Sequence, residues 1–147
     1  GWAYAISSST VVFEDTGLLA VDAGLDGRRT RAGLTLILEE MARLTREPPR
    51  RAEWQAARDY AIGQLRLGLE SPASRMSWVG ESLLLAGRWW APDEVERRLA
   101  AVTPEAIRAA CAAVVQARRS ALVLVGREAA SFKEPELQAL VRRMLPR

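Results

Sequence analysis

The sequence predicts an α+β fold: an antiparallel sheet with helices packed on one face. Three observations carry this expectation. Residues 3–13 alternate loosely and are rich in Ser, Thr, Val and Ile, and a second β-type stretch, residues 18–23, follows across Glu14-Asp15-Thr16-Gly17. From about residue 26 to residue 115, apolar residues recur at helical spacing, in segments divided by Pro, Gly and Ser. The β-type stretches sit together at the start and return only at Ala121–Val125, so strand and helix do not alternate as they do in a parallel α/β protein.

Taken in order, the first two stretches form an antiparallel hairpin, because so short a connection leaves no room for a crossover. Asp26 or Gly27 opens the first helix, in which Leu34, Ile37, Leu38, Met41 and Leu44 make one apolar face. Pro48 and Pro49 end it. A second amphipathic helix carries Trp54, Ala57, Ala61, Leu65 and Leu69 on one stripe, the pattern of a core-facing side rather than of a cofactor pocket. Ser71 caps and Pro72 starts a third helix, which Gly87 stops. A short helix begins near Pro92, and Thr103-Pro104-Glu105 restarts the chain with a cap, a first-turn proline and an early acid. Ala121–Val125 reads as a buried strand in the same sheet as the hairpin, and the Glu134–Leu145 stretch as a last helix. Three strands are few for so many helices, so the expected domain has at least one more strand and helix upstream of Gly1.

Composition narrows the chemistry. The chain has 147 residues, 49% of them hydrophobic and 27% charged, with a net charge of +3. It has no histidine and one cysteine, Cys111. A histidine-based triad or a histidine-ligated zinc site cannot be built from it. Cys111 lies in the alanine-rich run Arg108–Val115 and reads as a small buried hydrophobe, with no internal disulfide partner. Lys133 is the only lysine; the arginines are interleaved with acids along helices, as on a solvated surface rather than a nucleic-acid track. The acidic pairs Glu39-Glu40, Glu53 with Asp59, and Glu94 with Glu96 read the same way, as solvated faces rather than acid–base pairs. Arg88-Trp89-Trp90 reads as a core anchor or a contact to another domain. No apolar run approaches a membrane span, and no phosphate-cradling loop appears.

Four blocks, in order, resemble the pitrilysin/insulinase-type zinc peptidases, the inverzincins that include the mitochondrial processing peptidases. Gly1-Trp2-Ala3-Tyr4 resembles their Gly-Leu-Ala-Tyr block, and the Asp15–Asp26 segment their Asp-x-Gly strand and the turn after it. The Glu53–Ser71 segment resembles a helix that opens Glu-x-x-x-Ala-Lys and closes Leu-Glu-Ser, with Arg58 in place of the lysine. The stretch from Ala100 to Gly126 resembles a Val-Thr-x-Glu helix that leads into a final strand.

The resemblance implies a processing-peptidase-like, metallohydrolase-type half-domain: the C-terminal domain of a peptidase unit, starting here after its first strand and helix, with residues 1–147 as one partial domain. It implies that zinc and its His-x-x-Glu-His motif lie in a facing N-terminal domain or subunit, with no cofactor in this chain, and that unfolded peptides are the substrates. It implies that Tyr4 donates a hydrogen bond to the scissile carbonyl in the transition state, with a paired arginine upstream. On this reading the segment alone is inactive. A structural or partner subunit of the same fold is the alternative, and a helical protein-binding module a more distant one. The resemblance leaves room for a homo-oligomer and leaves the compartment open between bacterial cytoplasm and periplasm.

Overall fold

A computed structural model describes all of residues 1–147. It is an α+β fold with one two-stranded antiparallel sheet and six α-helices. The elements are β1 (Ala3–Val12), β2 (Gly17–Leu25), α1 (Thr30–Arg46), α2 (Arg51–Gly68), α3 (Pro72–Ala86), α4 (Pro92–Ala100), α5 (Pro104–Val114) and α6 (Glu134–Met144). Short 3-10 turns occupy Gly27–Arg29, Ala117–Arg119 and Arg127–Ser131. The chain divides into two compact units, one of Gly1–Val12, Thr16–Pro48 and Ile107–Arg147, the other of Phe13–Asp15 and Pro49–Ala106.

In the first unit β1 and β2 form the expected hairpin, with Ile6 opposite Ala23, Ser8 opposite Val21 and Thr10 opposite Leu19. Directly opposed residues share a face, and Leu19 on this face packs against the helical core. That core is Leu34, Leu38 and Ala42 of α1 with Val115, Val141 and Leu145. Leu34 and Leu38 are the expected positions; Ile37, Met41 and Leu44 are half-buried beside them. Thr45 is buried without cost because its hydroxyl donates to the Ala42 carbonyl at 2.7 Å. The Arg31 guanidinium meets the Glu136 carboxylate at 3.2 Å, joining the first turn of α1 to the first turn of α6. The Ala117 N–H donates to the Pro146 carbonyl at 2.7 Å, which fixes the turn after α5 to the end of α6.

The second unit has no fully buried side chain. The expected stripe of α2 is accordingly only half-buried at Trp54, Ala61 and Leu65, and Ala57 is exposed. Tryptophan hydrogen bonds and ion pairs organise the unit instead. Trp54 Nε1 donates to the Val102 carbonyl at 2.9 Å, and Trp78 Nε1 to the Trp90 carbonyl at 2.8 Å. Arg66 on α2 forms a two-pronged bond with the Glu96 carboxylate on α4. The helix boundaries follow the capping chemistry: Ser71 Oγ accepts from the Ser74 N–H at 3.0 Å, and Gly87 closes α3 with φ of 65°, a left-handed value that suits glycine. Thr103 Oγ1 accepts from the Ala106 N–H at 3.2 Å at the start of α5.

One expectation is corrected. Ala121–Val125 does not join the hairpin's sheet, which consists of β1 and β2 alone. The segment carries no regular secondary structure, and its backbone makes no backbone hydrogen bond. An apolar β-type sequence favours a strand, but a ladder also needs a neighbour at about 4.8 Å, and β2 is not bonded to it.

Candidate functional site

Tyr4 is the one side chain for which sequence reasoning expects a chemical role. It lies at the start of β1, where the hairpin register breaks. Ala3 pairs with Leu25 and Ala5 with the adjacent Gly24, so Tyr4 is an extra residue with no partner on β2. This is a β-bulge, which bends a strand and turns a side chain out of the regular alternation. The pairing continues beyond it, since the Asp26 N–H donates to the Trp2 carbonyl at 3.1 Å. Tyr4 is 82% exposed, and its hydroxyl has no partner within the chain. Two residues earlier, the Trp2 ring has the Arg29 guanidinium 5.8 Å from its centre.

Chemically the arrangement offers a phenol donor on a strand end fixed by hydrogen bonds on both sides of the bulge. Nothing in the sequence signals the bulge. Strict alternation from Ala3 to Val12 would put Tyr4 on the face of Ile6 and Ser8, and no glycine stands on β1 at the break.

Several acidic residues singled out by the sequence have structural partners. Glu94 accepts from Arg88 at 2.9 Å and meets Arg98 at 3.4 Å; both guanidiniums stack on Trp90, at 3.5 and 4.2 Å from the ring centre. The hydrogen bond from Arg88 holds the Glu94 carboxyl below the usual range, against a smaller opposing effect of burial. The bond from Arg66 lowers Glu96 in the same way. Such carboxylates are held ionised and are poor proton donors at neutral pH. Glu40 pairs with Arg43 and Asp59 with Arg58. Trp89 of the Arg88-Trp89-Trp90 run is exposed, while the Trp90 ring carries both arginines.

Cys111 is half-buried, and desolvation pushes its thiol up, away from the reactive thiolate. No three His, Cys, Asp or Glu side chains gather closely enough to hold a metal ion. With no histidine in the sequence, the donor set does not fit a catalytic zinc, and no metal-dependent step is assigned to these residues. No helix is long and apolar enough to cross a membrane.

Residues 1–60 match the family model described as the Peptidase M16 inactive domain. The chain is 32% identical over 107 residues to an uncharacterized zinc protease of Bacillus subtilis, covering 73% of this chain and 26% of that protein. It is 31% identical over 126 residues to one of Streptomyces coelicolor, covering 86% of this chain and 27% of the relative. Against one of Mycobacterium tuberculosis it is 29% identical over 141 residues, 96% of this chain and 32% of the relative. The chain thus spans between a quarter and a third of the length of the curated relatives it matches. The matched stretch holds Tyr4, the hairpin and α1, and on these sequence matches the chain belongs to the M16, pitrilysin/insulinase-type peptidase family, in its inactive C-terminal domain class.

Proposed function

We propose that this chain is the C-terminal chamber domain of a zinc-dependent endopeptidase, facing the domain or subunit that carries the metal. Its own contribution to the reaction is Tyr4. As water adds to a peptide carbonyl, negative charge builds on the oxygen. A phenol held in place across the cleft donates to that oxygen and stabilises the transition state more than the bound substrate. The observation that supports the reading most is the position of Tyr4. It is the bulged, outward, unpartnered residue of a block matched by the inactive-domain family model.

Peptides in extended form are the substrates on this reading, and the metal and the proton-transferring base belong to the facing domain. Zinc is implied by the zinc proteases that the chain is similar to, not by any ligand in residues 1–147.

The test is Tyr4→Phe in the full-length protein, assayed on a short quenched peptide. Phenylalanine keeps the ring and removes the donor. We expect kcat to fall roughly tenfold to several-hundredfold, about 1.4 to 4 kcal/mol, with KM nearly constant. The melting temperature should stay the same because the hydroxyl bonds nothing in the fold. An unchanged kcat in a folded variant would return Tyr4 to a surface strand residue and favour a non-catalytic partner role for the domain.

A further inference from the structure

Two stretches of the sequence hold bases and no acids. Residues 106–127 contain Arg108, Arg118, Arg119 and Arg127, residues 137–147 contain Arg142, Arg143 and Arg147, and neither stretch contains Asp or Glu. Together they hold seven of the 21 bases and none of the 18 acids, which leaves 14 bases against 18 acids, a net charge of −4, in the rest of the chain.

The fold gathers five of these arginines. The Ala117 N–H donates to the Pro146 carbonyl at 2.7 Å, and Val115 packs with Val141 and Leu145 in the core. The 3-10 turn that carries Arg118 and Arg119 therefore lies against the end of α6, with Arg142, Arg143 and Arg147. All five are exposed, and none of them makes an ion pair. Arg31, Arg58, Arg66, Arg88 and Arg98, in contrast, each hold a carboxylate. Ala42 of α1 shares the core with Val115 and Leu145, and where α1 ends, Arg46 and Glu47 add no net charge. Clustered like charges repel one another, so an uncovered group of five is a local cost that an anionic partner removes.

We propose that this arginine end is a docking surface for a short acidic segment of another protein, a run of Asp and Glu side chains. A guanidinium suits a carboxylate because its planar fork donates two parallel hydrogen bonds, as Arg66 does to Glu96. The charge of the rest of the chain favours a short segment over an extended polyanion. An anionic bilayer or a nucleic-acid duplex reaches past the patch and meets the surplus of acids, whereas a few carboxylates touch the patch alone. Neither stretch has an aromatic side chain on which a base could stack.

The inference goes beyond the peptidase reading and stands whatever Tyr4 does. Its test is fluorescence anisotropy of a labelled oligoglutamate peptide titrated with the full-length protein. We expect binding that weakens as salt is raised, since the contacts are exposed charges. Arg118→Glu with Arg119→Glu should weaken it at least about tenfold, and so should Arg142→Glu with Arg143→Glu. Arg28→Glu with Arg51→Glu changes the net charge equally at exposed arginines elsewhere, and should change the affinity less than about twofold. No binding, or an equal loss in this control pair, would overturn the proposal. So would tighter binding to phosphatidylglycerol vesicles or to a short DNA duplex than to the peptide, which assigns the surface to a membrane or to nucleic acid.

Discussion

Trp2 and Tyr4 stand two residues apart on one strand and meet different surroundings. The Trp2 carbonyl is bonded to the chain after β2 and its ring has Arg29 beside it, whereas Tyr4 is the bulged residue with a free hydroxyl. The difference is one of backbone register, not of side-chain chemistry. The core shows the same dependence on placement. Leu38 is 5% exposed within the α1 core, while Leu84 on α3 is 86% exposed. Leu38→Ala should therefore cost about 2–5 kcal/mol by lost transfer energy and a cavity, and Leu84→Ala less than about 0.5 kcal/mol, both by urea denaturation of the full-length protein. Equal costs would mean that Leu84 is covered in the full-length protein. Cys111 supplies a chemical check. Because burial raises its thiol, it should be alkylated by iodoacetamide at pH 7 well below the rate of free cysteine, and unfolding in urea should restore that rate.

At the scale of elements, the helix boundaries rest on short-range chemistry. Ser71 satisfies one of the free N–H groups at the start of α3, so Ser71→Ala should cost about 1 kcal/mol, read from the urea midpoint at constant slope. Ser71→Asp should keep the cap and most of the stability. The α2–α4 contact carries a pH dependence. Glu96 is lowered by the Arg66 hydrogen bond, and a group whose folded pKa is lowered stabilises the fold above its unfolded value. That stabilisation is lost as pH falls through the folded value. The melting temperature should therefore drop as the pH is taken below about 4.3, the ordinary glutamate value, and Glu96→Gln should flatten part of this fall. An identical acid profile in Glu96→Gln would show that the pair contributes no pH-dependent stability. Both groups are solvent-facing, so the contribution is that of a surface pair, not a buried one.

At the scale of the whole molecule, the exposed apolar surface is large for a soluble chain. Ile6, Val12 and Phe13 around the hairpin, Met76, Leu84 and Leu85 on α3, and Val123 and Val125 in the unpaired segment all face outward. Exposed apolar side chains in such number mark contact with other protein. Residues 1–147 alone should therefore bind a hydrophobic dye and scatter light at micromolar concentration, and the full-length protein should do neither. A monodisperse, dye-silent segment would show that these side chains tolerate water as they stand.

Local chemistry was legible in the amino-acid sequence wherever the controlling interaction spans a few residues. The hairpin, the α1 stripe at Leu34 and Leu38, the Ser71 and Thr103 caps and the stop at Gly87 all depend on neighbours within one or two turns. The absence of histidine, and with it of a zinc-fitting donor set, was equally plain. The order of the four blocks was enough to indicate the family. Tertiary structure alone decided the bulge at Tyr4, because register depends on how two strands align along their whole length. It also decided that Arg88 and Arg98 both stack on Trp90, residues that meet only when the turn after α3 folds onto α4. It decided the state of Ala121–Val125 as well. Hydrophobic alternation specifies an extended strand with one inward face, but the hydrogen bonds that make it part of a sheet belong to a neighbour whose position no local pattern encodes.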